Sequence, residues 1–217
     1  MTEPELLVHK GWTFRFRPAR KKPGRLLVLI HGWTGDENSM WVLAHNLSAD
    51  FAVLAPRAPY IESKGGYTWR EIQPGSWGLA PITEMRPAVE KLLAFLDDWA
   101  PTVGLGTSQL DLMGFSQGTV VAYTLAILYP QRVHKLAGLS GFLPEGAERA
   151  LAARQLAGKS FFVAHGRQDD MVPVESARRS VNILEASGVK VEYCESDGGH
   201  KVSRDCLQGM EKYFGRN

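Results

Sequence analysis

The sequence lacks most of what marks specialised classes of protein. No apolar stretch approaches the roughly 18 residues that span a membrane, and the 217 residues carry a net charge of only +2. So small a charge argues against a nucleic-acid partner. The densest basic run, at residues 15–25, is interpreted as a solvated face or loop rather than a phosphate or lipid patch.

Cysteine is scarce, since Cys194 and Cys206 are the only two in the chain. Two cysteines do not make a disulfide framework in a chain of this length, although a single bridge between them is left open. The first residues carry no positive segment followed by an apolar one, which is the pattern of a signal peptide. We therefore expect a cytoplasmic chain without stable membrane insertion.

Sequence motifs for metals and phosphates are missing as well. The sequence has no HExxH helix, no clustered pattern of cysteine and histidine, and no P-loop. No metal and no other cofactor are therefore expected.

Short apolar runs alternate with segments of helical period along the chain. Strands are predicted at 25–30, 51–55, 109–114, 134–140, 160–165 and 189–194, with an edge strand at 11–16. Helices are predicted at 39–49, 85–99, 117–129, 147–157, 174–187 and 203–214. This alternation predicts a single α/β domain over residues 1–217, with a mostly parallel central sheet covered by helices on both faces.

The longest irregular stretch, at residues 56–81, follows the carboxyl end of a predicted strand, where open α/β sheets bind ligands. A long loop without regular structure in a compact domain is usually functional. Its large aromatic residues are Tyr60, Tyr67, Trp69 and Trp77. Aromatic residues of this loop also suggest that two subunits pair into a homodimer.

Ser116 lies between two glycines in the segment GFSQG, where a predicted strand meets a predicted helix. The spacing matches G-x-S-x-G, in which a sharp strand-to-helix turn exposes a nucleophilic serine. The start of the helix offers free N–H groups to a developing oxyanion. The alternative is a glycine-rich turn in which the serine only caps the helix.

A serine hydroxyl needs a base before it can act as a nucleophile. Of six histidines, His200 is the best placed, in the glycine loop SDGGHKVS after the last predicted strand. Such a loop allows an imidazole to reach across the strand ends. His31 and His165 also end predicted strands, and we interpret them as braces of the loops that follow.

An acid must orient that imidazole, and Asp169 and Asp170 follow the predicted strand at 160–165. The order serine, aspartate, histidine is that of the α/β-hydrolases. The residues alone leave either aspartate as the acid. Backbone N–H groups of Trp33, after the first central strand, and of Gln117 complete a predicted oxyanion hole.

With these residues in place, the chain resembles the phospholipase/carboxylesterase family of α/β-hydrolases, which includes acyl-protein thioesterases and small bacterial carboxylesterases. The resemblance covers nearly the whole chain, from about residue 25 to residue 214. It rests on the segments LIHGWTGDENSMW, APRAP, GGYTWREI, GFSQG, KLAGLSGFLP, HGRQDDMVP and GGHKVS. It implies an α/β-hydrolase fold.

The resemblance also implies that Asp169, and not Asp170, is the acid of a Ser116–His200–Asp169 triad. Two positions depart from the family pattern. Trp33 stands where a small or leucine-like residue is common, and Asp170 stands where a proline often follows the acid. A bulky Trp33 would narrow the channel for the acyl group.

Only about 20 residues separate Ser140 from Ser160, a normal crossover that leaves no room for a cap domain. An open apolar site suits small esters or thioesters with short or medium acyl chains, with lysophospholipids and acylated proteins as alternatives. The candidate substrate-binding walls are Trp69, Phe142, Leu143 and Met171, all of types that are also common in protein cores. An acyltransferase and a non-catalytic binding protein are further alternatives, the latter disfavoured by an intact Ser, Asp and His.

Overall fold

The fold is built on a mixed sheet of eight strands, in a computed structural model that describes residues 4–20, 24–44, 47–71 and 80–216. The strands are β1 (Glu5–His9), β2 (Trp12–Arg17), β3 (Arg25–Ile30), β4 (Phe51–Pro56), β5 (Tyr60–Ile61), β6 (Tyr67–Thr68), β7 (Leu110–Phe115), β8 (Val133–Leu139), β9 (Ser160–Gly166) and β10 (Lys190–Ser196). The helices are α1 (Trp41–Ala44), α2 (Ile82–Trp99), α3 (Gln117–Leu128), α4 (Ala147–Leu151), α5 (Val174–Ala186) and α6 (Arg204–Gly215).

The order of strands in the large sheet is β1-β2-β4-β3-β7-β8-β9-β10, and neighbouring strands from β4 to β10 run parallel. In β3 the side chains of residues 26–30 are all buried, as expected of a strand covered on both faces. Helices α2 to α5 pack on one face of the sheet, and α1 and α6 pack on the other. The predicted α/β architecture is therefore confirmed.

The segment predicted as an edge strand at 11–16 lies one position further into the sheet. Its strand, β2, pairs antiparallel with β4 on one side and with β1 on the other, so that β1 forms the edge. We did not predict β1, because its apolar residues Leu6 and Val8 face the solvent and leave no buried pattern to detect. The strand is stabilised by its backbone hydrogen bonds to β2 rather than by burial of its side chains.

Two predicted helices are shorter than expected. The helix predicted at 147–157 ends at Leu151, because the chain turns back toward β9 through Arg154 in a left-handed conformation. The helix predicted at 39–49 covers Trp41–Ala44 in the described part of the chain, before a turn at Ser48 leads into β4. Between β8 and β9 the chain forms only α4 and turns.

The long loop at 56–81 contains a small hairpin formed by β5 and β6. Trp77 falls outside the described residues. Cys194 and Cys206 form a disulfide that joins β10 to the first turn of α6, which answers the question that the sequence left open. None of the helices in the described ranges is long and apolar enough to cross a membrane.

Candidate active site

Ser116 lies at the turn between β7 and α3, at the carboxyl edge of the parallel strands. Its backbone has φ 52° and ψ −119°, a conformation that few residues other than glycine adopt. Its N–H donates to the Leu139 carbonyl at 2.8 Å, and its own carbonyl accepts the Thr119 N–H at 2.9 Å. The surrounding backbone thus holds Ser116 in a strained turn, as the G-x-S-x-G spacing predicts.

The two glycines that flank Ser116 are required by close packing. A Cβ atom at Gly118 would overlap the carbonyl oxygen of Ile30 at the end of β3. A Cβ atom at Gly114 would overlap the backbone of Gly118 one turn further on. Glycine at both positions therefore lets α3 start directly against the end of β3, which brings the loop after β3 beside Ser116.

His200 is paired with Asp169, the first of the two adjacent aspartates. The Nδ1 atom of His200 lies 2.7 Å from Oδ2 of Asp169. The other carboxylate oxygen accepts the backbone N–H groups of Met171 and Val172 at 3.0 and 2.9 Å. Asp169 is buried, whereas Asp170 is exposed. The geometry therefore gives Asp169 the contact that the family resemblance implies for it.

Backbone contacts tie together the loops that carry Asp169 and His200. The N–H of Arg167 donates to the Ser196 carbonyl at 2.7 Å, and that of Gln168 donates to the Gly198 carbonyl at 2.9 Å. A Cβ atom at Gly166 would overlap the carbonyl oxygens of the Gly198 loop, so the two loops pack backbone against backbone. This packing fixes the position of Asp169 relative to His200.

Ser116 and His200 line the same cleft, which has a volume of about 680 Å³. Trp33 and Met171 line it as well, the latter with a largely exposed side chain. Its apolar lining also includes Met40, Leu43, Phe115, Val202 and Leu207. The cleft thus brings the predicted nucleophile and base together on a mainly apolar surface.

The loop after β3 and the start of α3 flank Ser116, as the predicted oxyanion hole requires. A Cβ atom at Gly32 would lie 3.2 Å from Cβ of Ser116, so the peptide that leads to Trp33 runs beside the serine. Gln117 is the first residue of α3, where backbone N–H groups have no partner within the helix. Its side chain instead accepts the Trp69 N–H at 3.0 Å and so braces the long loop.

Three of the four predicted wall residues lie elsewhere. Trp69 is fully buried, and its indole N–H donates to the His31 carbonyl at 2.9 Å. Phe142 and Leu143 line a separate groove of about 500 Å³ between α4 and α5. All three follow the ends of strands, as site residues often do, but none of them lines the cleft that holds Ser116. Met171 is the one predicted wall residue that lines the cleft.

Met40, Leu43 and Leu207 line the cleft although no sequence pattern marked them as site residues. Leu43 and Leu207 belong to α1 and α6, whose apolar periodicity indicates only that one helix face is buried. A side chain at the rim of such a face can line a cleft without any change in that pattern. Among the described residues, no cluster of three or more histidine, cysteine or carboxylate side chains could hold a metal ion.

The sheet carries a serine at a strained strand-to-helix turn and an Asp–His pair on the loops that follow later strands. This arrangement is that of the α/β-hydrolase fold. A crystal structure of a carboxylesterase from Mesorhizobium loti has the same fold, with a TM-score of 0.83, 21% identity and 99% coverage of both chains. The family model described as Phospholipase/Carboxylesterase matches residues 14–216. The chain therefore belongs to the phospholipase/carboxylesterase family, a family of hydrolases.

Two relatives illustrate the range of this family. The chain is 26% identical to acyl-protein thioesterase 1 of Emericella nidulans, with 92% of each chain covered. It is also 26% identical to a protein of Oryza sativa subsp. japonica named "Probable inactive carboxylesterase", over 92% of this chain and 89% of the relative. Family membership therefore leaves the activity of an individual member to be argued from its own site.

Proposed function

We propose that this chain hydrolyses carboxylic esters or thioesters through an acyl-enzyme on Ser116. The observation that carries the proposal is the 2.7 Å contact between His200 Nδ1 and Asp169 Oδ2, with His200 and Ser116 in one cleft. Because Nδ1 faces the carboxylate, Nε2 is the nitrogen left to exchange protons with the serine and the substrate.

In the acylation step, the Ser116 oxygen bonds to the substrate carbonyl carbon while His200 takes the hydroxyl proton. The carbonyl oxygen becomes an oxyanion, which the backbone N–H groups of Trp33 and Gln117 stabilise. When the C–O or C–S bond to the leaving group breaks, His200 returns the proton to the departing oxygen or sulfur. Asp169 stays ionised and stabilises the imidazolium.

In the deacylation step, water attacks the acyl-enzyme and gives its proton to His200, which then returns the proton to Ser116. The acid product leaves and the enzyme is restored. The apolar lining of the cleft supports short or medium acyl chains as substrates. The alternatives are a lysophospholipid or an acylated protein, and the Emericella nidulans relative supports the second of these.

Covalent labelling with a fluorophosphonate tests the nucleophile. We expect the reagent to label the wild type at Ser116, and Ser116→Ala to lose both labelling and hydrolysis of p-nitrophenyl butanoate. Ser108→Ala is the matched control, since Ser108 is exposed just before β7, at the opposite end of that strand. Folded protein that resists labelling would instead favour a non-catalytic binding protein.

A substrate panel tests the reaction class. Esters and thioesters of matched acyl chains, a lysophospholipid and an acylated peptide separate the candidate substrates by their kcat/KM values. Added alcohol separates a hydrolase from an acyltransferase, because a transferase passes most of the acyl group to the alcohol rather than to water. Loss of the acid product in favour of a new ester would contradict the proposed hydrolysis.

A further inference from the structure

Trp33 is held in place by the hairpin of the long loop. Its indole N–H donates to a carboxylate oxygen of Glu62 at 2.6 Å. The ammonium group of Lys64 lies 5.4 Å from the centre of the indole ring, within the range of a cation–π contact. The hydrogen bond from Trp33 holds the pKa of the Glu62 carboxyl below its usual range. The large ring is therefore fixed rather than free to rotate.

The hairpin that carries Glu62 is itself anchored. The Tyr67 N–H donates to the Gly35 carbonyl at 2.9 Å, which joins the hairpin to the turn that follows Trp33. At its other end the hairpin meets Gln117, whose side-chain oxygen accepts the Trp69 N–H. A rigid support of this kind positions a wall residue more firmly than a free loop does.

The order of strands indicates which part of a substrate meets Trp33. The loop with Trp33 follows β3, which lies on one side of β7, whereas His200 and Asp169 follow strands on the other side. Trp33 and His200 therefore approach Ser116 from opposite flanks. Because His200 must return a proton to the leaving group, the leaving group lies on its flank and the acyl chain lies toward Trp33.

We infer that the Trp33 side chain, held by Glu62, is the wall that limits the length of the acyl chain. The inference rests on the proposed function and names the residue that selects substrates by the length of their acyl chain. A long acyl chain would have to displace the indole and break its hydrogen bond to Glu62. Short chains meet the ring without moving it.

The test compares p-nitrophenyl butanoate, octanoate and dodecanoate as substrates of the full chain. The readout is the ratio of kcat/KM for dodecanoate to that for butanoate, so a general loss of activity cancels. Trp33→Leu should raise this ratio by about tenfold, the size of effect that a changed apolar pocket produces. A ratio that does not change in Trp33→Leu would overturn the inference.

Glu62 provides a matched pair of variants that leaves Trp33 and its backbone N–H in place. Glu62→Ala removes the acceptor and should raise the ratio several-fold. Glu62→Gln keeps a side-chain oxygen that accepts the indole N–H and should keep the wild-type ratio. Equal ratios in these two variants and the wild type would contradict the inference, and this comparison carries the test if Trp33→Leu does not fold.

Failure of the inference can be told from failure of the proposed function. If the wild type hydrolyses none of the esters and the fluorophosphonate does not label Ser116, both the proposed function and the inference about Trp33 are contradicted. If labelling and hydrolysis occur but the ratio of kcat/KM for dodecanoate to that for butanoate is the same in all variants, only the role of Trp33 and Glu62 is contradicted.

Discussion

The Nε2 atom of His165 lies 3.3 Å from Oδ2 of Asp169, the same oxygen that His200 contacts. That Nε2 atom also lies 2.8 Å from the Val172 carbonyl oxygen, which can only accept a hydrogen bond. Nε2 therefore carries a proton and donates it toward both oxygens. The side chains of His165 and Asp169 are both fully buried, so water does not compete for this contact, which helps to hold Asp169 in position.

Replacement of His165 should lower kcat, because Asp169 loses a contact that helps to hold it in position. His165→Leu removes the donor, and we expect kcat to fall roughly tenfold with KM unchanged, equal to about 1.4 kcal/mol of transition-state free energy. His165→Gln places an amide N–H near the lost Nε2–H and should retain most of the activity. Ester kinetics measure both, and equal losses in the two variants would show that His165 acts only as a core residue.

Asp169 and Asp170 are adjacent, but only the first contacts His200. Asp169→Asn should therefore lower kcat by about 10³ to 10⁴, as loss of the acid does in serine hydrolases. Asp170→Asn is the matched control and should stay within about twofold of the wild type, because its side chain is exposed. A larger loss for Asp170→Asn would reverse the assignment of the acid.

Local sequence patterns were sufficient to predict a candidate site residue wherever the course of the backbone determines its position. Ser116 follows a strand and precedes a helix, and the glycines around it leave the chain one compact turn. Asp169 and His200 follow parallel strands, whose carboxyl ends share one edge of the sheet. For Ser116 and His200 the sheet supplies most of the geometry, so that their place along the chain was informative. The choice of Asp169 over its neighbour Asp170 rested on the family resemblance.

The walls of the cleft depend on tertiary packing, which the sequence does not encode locally. Trp69 and Phe142 follow strands just as Met171 does, yet only Met171 lines the cleft. Which way each side chain turns is decided by long-range contacts, such as that between the Trp69 indole and the His31 carbonyl. The cytoplasmic location, the single domain and the homodimer stay predictions.

His31 gives the fold a dependence on pH. Its Nδ1 atom donates to the Gly32 carbonyl at 2.7 Å, so Nε2 is left to accept the Ala58 N–H at 3.0 Å. A second proton on Nε2 would break the latter bond, and burial lowers the pKa of the imidazole. With the folded pKa below the unfolded value of about 6.5, the unfolded chain binds the proton first, and stability falls as pH drops below that value.

Urea unfolding at pH values above and below 6.5 measures this effect. We expect the free energy of unfolding to fall by about 1 kcal/mol on account of His31 between about pH 7.5 and pH 5.5. His31→Gln keeps an oxygen that can accept the Ala58 N–H but does not titrate, so its decrease should be smaller. An identical decrease in both proteins would assign the pH dependence to other groups.

The disulfide between Cys194 and Cys206 closes a loop of the chain that contains His200, with a sequence separation of 12. A bridge across a loop of this size stabilises the fold by about 2–3 kcal/mol, chiefly by restricting the unfolded chain. Reduction should therefore lower the free energy of unfolding by that amount. It should also lower kcat, because β10 and α6, which flank the His200 loop, lose their covalent link.

Urea unfolding and ester kinetics with and without reductant measure both effects, with thiol titration to show that the bridge is open. A variant with Cys194→Ala and Cys206→Ala is the control, since its stability should not respond to reductant. If the reduced wild type keeps both its unfolding midpoint and its kcat, contacts other than the disulfide hold the loop. The 2.7 Å bond from His200 to Asp169 and the backbone bonds between their loops would then be sufficient to hold the imidazole.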